Sequence, residues 1–166
     1  TLPLENTMTL LAIDPGRSFK GDKSIGYALF THDGEELGRG QLSYDELREK
    51  LWVSMNHEST GIDQLLWDDL YIYAIVIEDF VNNDRSRGGQ RNGTSECIGM
   101  VEDRAWLTKT PFFRQAPAAL GAAKLHAPEG SYKKLQHLRH EDAAFLHGYE
   151  YLVKKGVIEV DLSSTM

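Results

Sequence analysis

The sequence has 166 residues, of which 41% are hydrophobic, and this suits a single compact domain spanning residues 1–166. No apolar run approaches the roughly 18 residues that a membrane span needs, and the N-terminus lacks the pattern of a secretory signal. We therefore expect no membrane partner and a cytoplasmic protein. The single cysteine, Cys97, excludes an internal disulfide and is expected to be a small apolar residue on a helix face.

The net charge of −7 is unusual for a protein that binds nucleic acid, but the charge is unevenly distributed. Residues 84–139 hold ten Lys and Arg against five Asp and Glu, a balance of +5. Residues 1–83 hold six against fifteen, and residues 140–166 hold two against five. The middle third is thus the region that would hold a polyanion, although a solvated surface with clustered charge explains the composition equally well.

The first predicted elements form an antiparallel meander of three strands. Residues 8–14 are almost continuously apolar, as is typical of a strand buried on both faces. Residues 24–30 and 36–42 follow as strands, and the Asp33-Gly34 pair between them favours a hairpin turn.

A helix and a central strand follow the meander. Ser43 and Glu46 have the spacing of a capping box, and apolar residues recur at helical spacing behind them as far as Met55. A second apolar piece covers residues 62–70. Residues 71–78 are β-branched and aromatic, which predicts a central strand.

The remaining pattern alternates loop, helix and strand. We predict a loop over 82–93, a helix over 95–107, a strand at 112–115, a brief helix starting at Pro117 and a last helix over 140–155. The order of elements predicts an α/β fold with a mixed five-stranded sheet flanked by helices.

Two of the predicted strands end in acids, Asp14 on the first and Glu78-Asp79 on the fourth. If these strands are parallel neighbours, carboxylates at their carboxyl ends lie close enough to share a hard cation such as Mg²⁺ or Mn²⁺. Strand alternation allows only one of Glu78 and Asp79 to face Asp14, and periodicity does not decide which. Asp142, beside two alanines on the last helix, is the third candidate ligand.

The residues around these acids resemble the motifs of RuvC-type Holliday-junction resolvases. The resemblance rests on the runs A-I-D-P-G at 12–16, S-I-G-Y-A at 24–28, I-E at 77–78 and D-A-A at 142–144. It spans nearly the whole chain in the family's order and is nearest to the compact phage members. It implies an RNase H-like fold, a homodimer and a bacterial or phage-infected cell as the setting.

The resemblance also implies the activity of a crossover junction endodeoxyribonuclease, which cleaves branched DNA by two-metal hydrolysis with Mg²⁺ or Mn²⁺. It selects Glu78 over Asp79, so that Asp14, Glu78 and Asp142 are the expected metal ligands. The family's fourth ligand lies three residues before the last acid, where this chain has Arg139. His140 is the first substitute as a catalytic residue, and Glu141 or no residue at all are the open alternatives.

Basic residues of the middle third are the expected DNA contacts, holding phosphates without reading sequence. They are Arg85, Arg87, Arg91, Arg114, Lys133, Lys134 and Arg139. The helix over 95–107 is, by family analogy, the expected dimer interface, although core packing explains its apolar residues equally well.

Two other functions fit the same sequence. One is an RNase H-type or YqgF-like nuclease acting on RNA. The other is a catalytically degenerate junction-binding protein, which the arginine at 139 favours. Cleavage of a synthetic junction, a duplex and an RNA–DNA hybrid separates the three.

Overall fold

The computed structural model describes residues 8–16, 21–55, 63–79 and 93–160. Within these ranges the chain forms seven strands and four helices, in the order β1 (Met8–Asp14), β2 (Ile25–Thr31), β3 (Glu36–Leu42), α1 (Tyr44–Lys50), β4 (Leu51–Ser54), β5 (Gln64–Trp67), β6 (Leu70–Glu78), α2 (Thr94–Thr108), β7 (Phe112–Gln115), α3 (Ala119–His126) and α4 (His140–Lys154). The described helices include none that is long and apolar enough to cross a membrane.

All seven strands belong to one mixed sheet. Its order is β3-β2-β1-β6-β5-β4, and β7 pairs with β6 as well. The β1–β6 and β6–β7 pairs are parallel, whereas β1–β2, β2–β3, β4–β5 and β5–β6 are antiparallel. The mixed α/β class was predicted correctly, but the sheet has two strands more than the predicted five.

Of the two additional strands, β4 lies where the sequence pattern predicted a continued helix, and β5 lies in the apolar piece at 62–70, for which the pattern indicated no element type. The capping box at Ser43 forms as expected, yet α1 ends after seven residues at Lys50. The chain then enters β4, and its Trp52 and Val53 pair with Leu66 and Leu65 of β5. Aromatic and β-branched side chains favour such a ladder over a continued helix, and the ladder extends the sheet beyond β6.

Each face of the sheet carries its own core, because successive strand residues point to opposite sides. Leu11 and Ile13 of β1 pack with Ile98 and Val101 of α2 on one face. Ala12 of β1 belongs to the core of the other face, with Ala123 from α3 and Ala144, Leu146 and Leu152 from α4. Cys97 is a buried member of the α2 face, as predicted. This division decides which strand-end residues lie under α4.

Candidate active site

Asp14 and Glu78 lie side by side at the carboxyl ends of the central parallel strands. Ile13 pairs with Ile77 in the β1–β6 register, so the next residue of each strand is an acid. Both acids continue the alternation that places Ala12 and Val76 in the core under α4. Glu78, and not Asp79, therefore shares the face of Asp14; Asp79 instead lies 3.4 Å from an Arg114 guanidinium nitrogen.

The two carboxyl groups are close enough to affect each other's protonation. Burial raises the pKa of Glu78, the nearby His147 ring lowers it in part, and the negative charge of Asp14 raises it further. Burial would also raise the pKa of Asp14, but hydrogen bonds to His140, Glu78 and the Gly16 amide leave it below its ordinary value. The side chains are only 9% and 18% exposed. Such a pair favours a positive partner, either a proton or a metal cation.

His140, the first residue of α4, contacts the acid pair from the helix side. Its Nδ1 lies 2.9 Å from Asp14 Oδ2, and the other Asp14 oxygen accepts a hydrogen bond of 3.0 Å from the Gly16 amide. The hydrogen bond to Asp14 raises the pKa of His140 in spite of partial burial, and the charge of Asp14 adds to it. The ring is 39% exposed and so lies at the mouth of the site. The structure thus joins His140 to Asp14 and Glu78.

Two glycines near the acid pair lie against backbone that leaves no room for a side chain. A Cβ on Gly26 would lie 1.9 Å from the His140 carbonyl oxygen and 2.6 Å from the Glu141 nitrogen. Gly16 has a φ of +53°, and a Cβ there would lie 2.1 Å from the Ser24 carbonyl oxygen. Gly26 therefore makes room for the backbone that carries His140, and Gly16 makes room for the Ser24 backbone.

We expect Gly26→Ala to destabilise the protein by about 2 kcal/mol, as overpacking commonly does, because the clash is with backbone rather than a flexible side chain. Gly99→Ala on α2 is the matched control, since nothing lies within 4 Å of its added Cβ and alanine favours a helix. Urea unfolding of both variants checks this. Equal stability of the two would contradict the close approach at Gly26.

Asp142 is placed differently from the other predicted ligands. Its Oδ1 lies 2.8 Å from Arg39 Nη1, and its Oδ2 accepts a hydrogen bond of 3.3 Å from the Lys133 amide. A residue two positions after His140 lies about 200° around an α-helix, so the two side chains leave opposite sides of α4. Asp142 therefore connects α4 to β3 and to the loop before the helix, and its described contacts do not include Asp14 or Glu78.

The predicted DNA contacts fall into three groups. Arg85, Arg87 and Arg91 lie outside the described residues. Arg114 is paired with Asp79 and, at 3.2 Å, with Glu102. The last group consists of exposed residues in the loop that leads into α4, namely Lys133, Lys134 and Arg139, the last of which pairs with Glu141. Of these three, Arg139 directly precedes His140, whereas the Lys133 amide contacts Asp142.

The predicted dimer helix, α2, has two kinds of apolar residue. Ile98, Val101 and Ala105 are buried in the core of their own sheet face. Trp106 and Leu107 are 76% and 48% exposed. Core packing therefore accounts for the first group, and only the end of α2 presents apolar surface to a partner.

Sequence reasoning did not single out His147, Gln115 or Arg39. His147 is fully buried, and its Nε2 lies 3.6 Å from Glu78 Oε1. A signal for it was present, because a spacing of seven residues from His140 is close to two helical turns and puts both rings on one face. Gln115 and Arg39 had no such signal, since their partners are distant in sequence.

A fit to a divalent cation can be judged from these contacts. The donor set consists of two carboxylates at strand ends and one imidazole beside them. It suits Mg²⁺ or Mn²⁺ only in part, because both ions prefer oxygen ligands to nitrogen. In the described ranges no three His, Cys, Asp or Glu residues are already arranged to hold a metal ion. The residues present therefore fit as a partial site centred on Asp14 and Glu78.

Comparison with known proteins gives a match at the level of structure. No family model matches the chain, and no curated protein matches its sequence. A structure titled RuvC of Thermus thermophilus in complex with a Holliday junction substrate is similar with a TM-score of 0.52 at 12% identity, covering 93% of this chain and 99% of that one. A second Thermus thermophilus RuvC structure, at a TM-score of 0.44 and 12% identity, covers 93% and 100%. The chain therefore has the RNase H-like fold of RuvC.

Proposed function

We propose that this protein is a divalent-metal-dependent endonuclease that cleaves branched DNA. The observation that carries the proposal is the contact between Asp14 and Glu78 at the ends of adjacent parallel strands, in the fold of a protein solved with a Holliday junction. Two carboxylates in contact and largely withdrawn from water repel each other unless a proton or a cation neutralises them, and a bound cation is the partner that we propose.

The residues at the two strand ends and at the start of α4 would have different roles in the reaction. Asp14 and Glu78 would hold the cations through carboxylate oxygens, and Asp14 also contacts His140. Bound cations would supply an activated water and positive charge against the leaving 3′-oxygen. The Gly16 amide fixes one oxygen of Asp14, and His140 at the mouth would complete the site or exchange a proton there.

DNA would approach over the loop before α4. Lys133, Lys134 and Arg139 are exposed in that loop, and Arg139 directly precedes His140, so we propose that they hold phosphates as the DNA reaches the acid pair. A homodimer is part of the proposal, since paired cuts in a four-way junction need two sites. The exposed Trp106 and Leu107 at the end of α2 are the apolar surface proposed for it.

A second candidate is a junction-binding protein that does not cut. It is favoured by Asp142, whose carboxylate is held by Arg39 and so does not add a third acid to the pair. The described part of the chain also lacks a preformed three-ligand metal cluster. The two candidates predict the same binding and differ in catalysis.

The test is cleavage of three labelled substrates of matched sequence, namely a four-way junction, a linear duplex and an RNA–DNA hybrid. We expect paired nicks in opposing strands of the junction with Mg²⁺ or Mn²⁺, and none with EDTA. Tight junction binding without nicks under either metal would establish the second candidate. Cleavage of the hybrid alone would assign the protein to the RNase H-type or YqgF-like enzymes that act on RNA.

A further inference from the structure

His147 is a buried polar residue that the proposed chemistry does not use. It lies on α4 with no exposed surface, and its two ring nitrogens face different elements. Nδ1 lies 2.8 Å from Gln115 Nε2, whereas Nε2 points toward Glu78 Oε1 at 3.6 Å. Among the described residues Nε2 has no hydrogen-bond partner. A buried ring nitrogen without a partner is costly unless a group close by completes the bond.

Gln115 determines which of the two nitrogens carries the proton. Its side-chain nitrogen lies 3.0 Å from the His147 carbonyl oxygen, which can only accept a hydrogen bond. The amide must therefore present its NH₂ group to α4, because the opposite orientation would set two oxygens against each other. The same NH₂ group meets Nδ1, so Nδ1 accepts and the ring proton is on Nε2. The N–H of His147 is thus directed at Glu78.

The sheet places Gln115 where it can do this. Gln115 is the last residue of β7 and pairs with Glu78 in the parallel β6–β7 register. Its carbonyl oxygen accepts a hydrogen bond of 2.8 Å from the Asp79 amide, which fixes the strand end beside the acid. The Gln115 side chain is buried with His147. The acid, the ring and the amide that orients the ring are therefore supplied by β6, α4 and β7.

We propose that His147 is a positioning residue for Glu78, presenting a fixed Nε2–H that keeps this carboxylate turned toward Asp14. It is not itself a metal ligand, because the nitrogen that faces the site carries the proton. The distance of 3.6 Å is just beyond a hydrogen bond, so a small rotation of the Glu78 side chain completes it. Partners of this kind orient ligands in metal sites, and their loss typically weakens metal binding about 10–100-fold. The role toward a cation rests on the proposed function, whereas the tautomer does not.

Two measurements on the full chain test the proposal. Nitrogen-15 NMR of the histidine rings, without metal, should show His147 protonated at Nε2 and not at Nδ1. Titration calorimetry with Mn²⁺ should show binding weakened about 10–100-fold in His147→Leu, with partial recovery in His147→Gln, whose amide can still donate. His126→Leu is the control, because His126 ends α3 and its described contacts do not include Asp14 or Glu78, and it should bind Mn²⁺ as the wild type does.

The outcomes separate the inference from the proposed function. An Nδ1-protonated ring, or wild-type Mn²⁺ affinity in folded His147→Leu, overturns the positioning role while leaving the nuclease proposal in place. If His147→Leu does not fold, Gln115→Met provides the second test, since it removes the amide that fixes the ring and should also weaken Mn²⁺ binding. A wild-type protein that binds neither Mn²⁺ nor Mg²⁺ overturns the nuclease proposal and the positioning role together, whichever tautomer the ring shows.

Discussion

Asp14→Asn is expected to reduce junction cleavage by at least about 10³-fold while the protein remains folded and still binds the junction. The expected factor follows from the several kcal/mol that a metal site contributes to charge stabilisation in the transition state, at about 1.4 kcal/mol for each tenfold. The fold should survive because an asparagine oxygen can still accept the hydrogen bond of the Gly16 amide. Cleavage and gel-shift assays, with circular dichroism as the folding check, measure all three properties.

Asp33→Asn is the matched control for this experiment. Asp33 is an acid in the β2–β3 hairpin with a side chain that is 81% exposed, and asparagine before glycine also suits a hairpin turn. We expect wild-type cleavage from this variant. Wild-type cleavage from Asp14→Asn would instead show that the acid pair is not the active site.

The same assay decides the role of Asp142, which remains a predicted metal ligand. Both of its oxygens already have partners, Arg39 and the Lys133 amide, on the side of α4 away from His140. We therefore expect Asp142→Asn to lose stability rather than chemistry, with cleavage per folded molecule much nearer to wild type than that of Asp14→Asn. An equal loss in the two variants would return Asp142 to the metal site.

Arg39→Met is expected to destabilise the protein by about 3 kcal/mol, because it leaves the Asp142 carboxylate buried without its charged partner. The Arg39 guanidinium binds Glu36 through two nitrogens, at 2.7 and 2.8 Å, and Asp142 at 2.8 Å. It also lies 4.1 Å from the centroid of the Phe145 ring. The side chains of Arg39 and Asp142 are only 19% and 6% exposed, so solvent screens this network weakly.

The control for Arg39 is an ion pair of equal length on the surface. Lys50 lies 2.8 Å from Asp68, but the two side chains are 38% and 63% exposed. Lys50→Met should therefore cost less than about 1 kcal/mol. In thermal unfolding, Arg39→Met should lower Tm by roughly 6–12 °C, given about 2–4 °C per kcal/mol for a chain of this size. Similar shifts in the two variants would rule out a buried network.

A double variant shows whether Arg39→Met destabilises the protein by removing the ion pair or by leaving the buried Asp142 carboxylate without a positive partner. Replacing a buried ion pair by apolar residues is often neutral, so Arg39→Met combined with Asp142→Leu should recover part of the stability that Arg39→Met loses. Additive destabilisation would mean that the two residues act independently.

Much of the fold was predictable because its local signals agree. β1 and β7 match the predicted bounds, and α2 and α4 match theirs to within about one residue. β4 was missed because the residues after α1 keep helical spacing, and β5 because the apolar piece at 62–70 indicates no element by itself. The pairing that stabilises both strands joins residues ten or more positions apart. A pattern read along the chain does not contain that partner.

Only the part of the site that follows from strand ends and from strand alternation was predictable from the sequence. Adjacent parallel strands bring Asp14 together with an acid of the next strand, but which acid depends on the face that α4 covers. Asp142 looked equivalent to the other acids because its partner, Arg39, is 103 residues away. His140 and His147 share a helix face by spacing alone, yet only the sheet beneath shows that this face meets both acids.

α4 contacts Asp14 through His140 and lies beside Glu78 through His147, so a single helix packs against both acids. If α4 slides or tilts, its contacts with Asp14 and Glu78 change together, while the distance between the His140 and His147 rings stays constant. A change in the position of α4 on the sheet therefore alters the surroundings of both acids at once. A substitution farther along α4, such as one at the buried Leu152, is therefore expected to affect the contacts of both acids together.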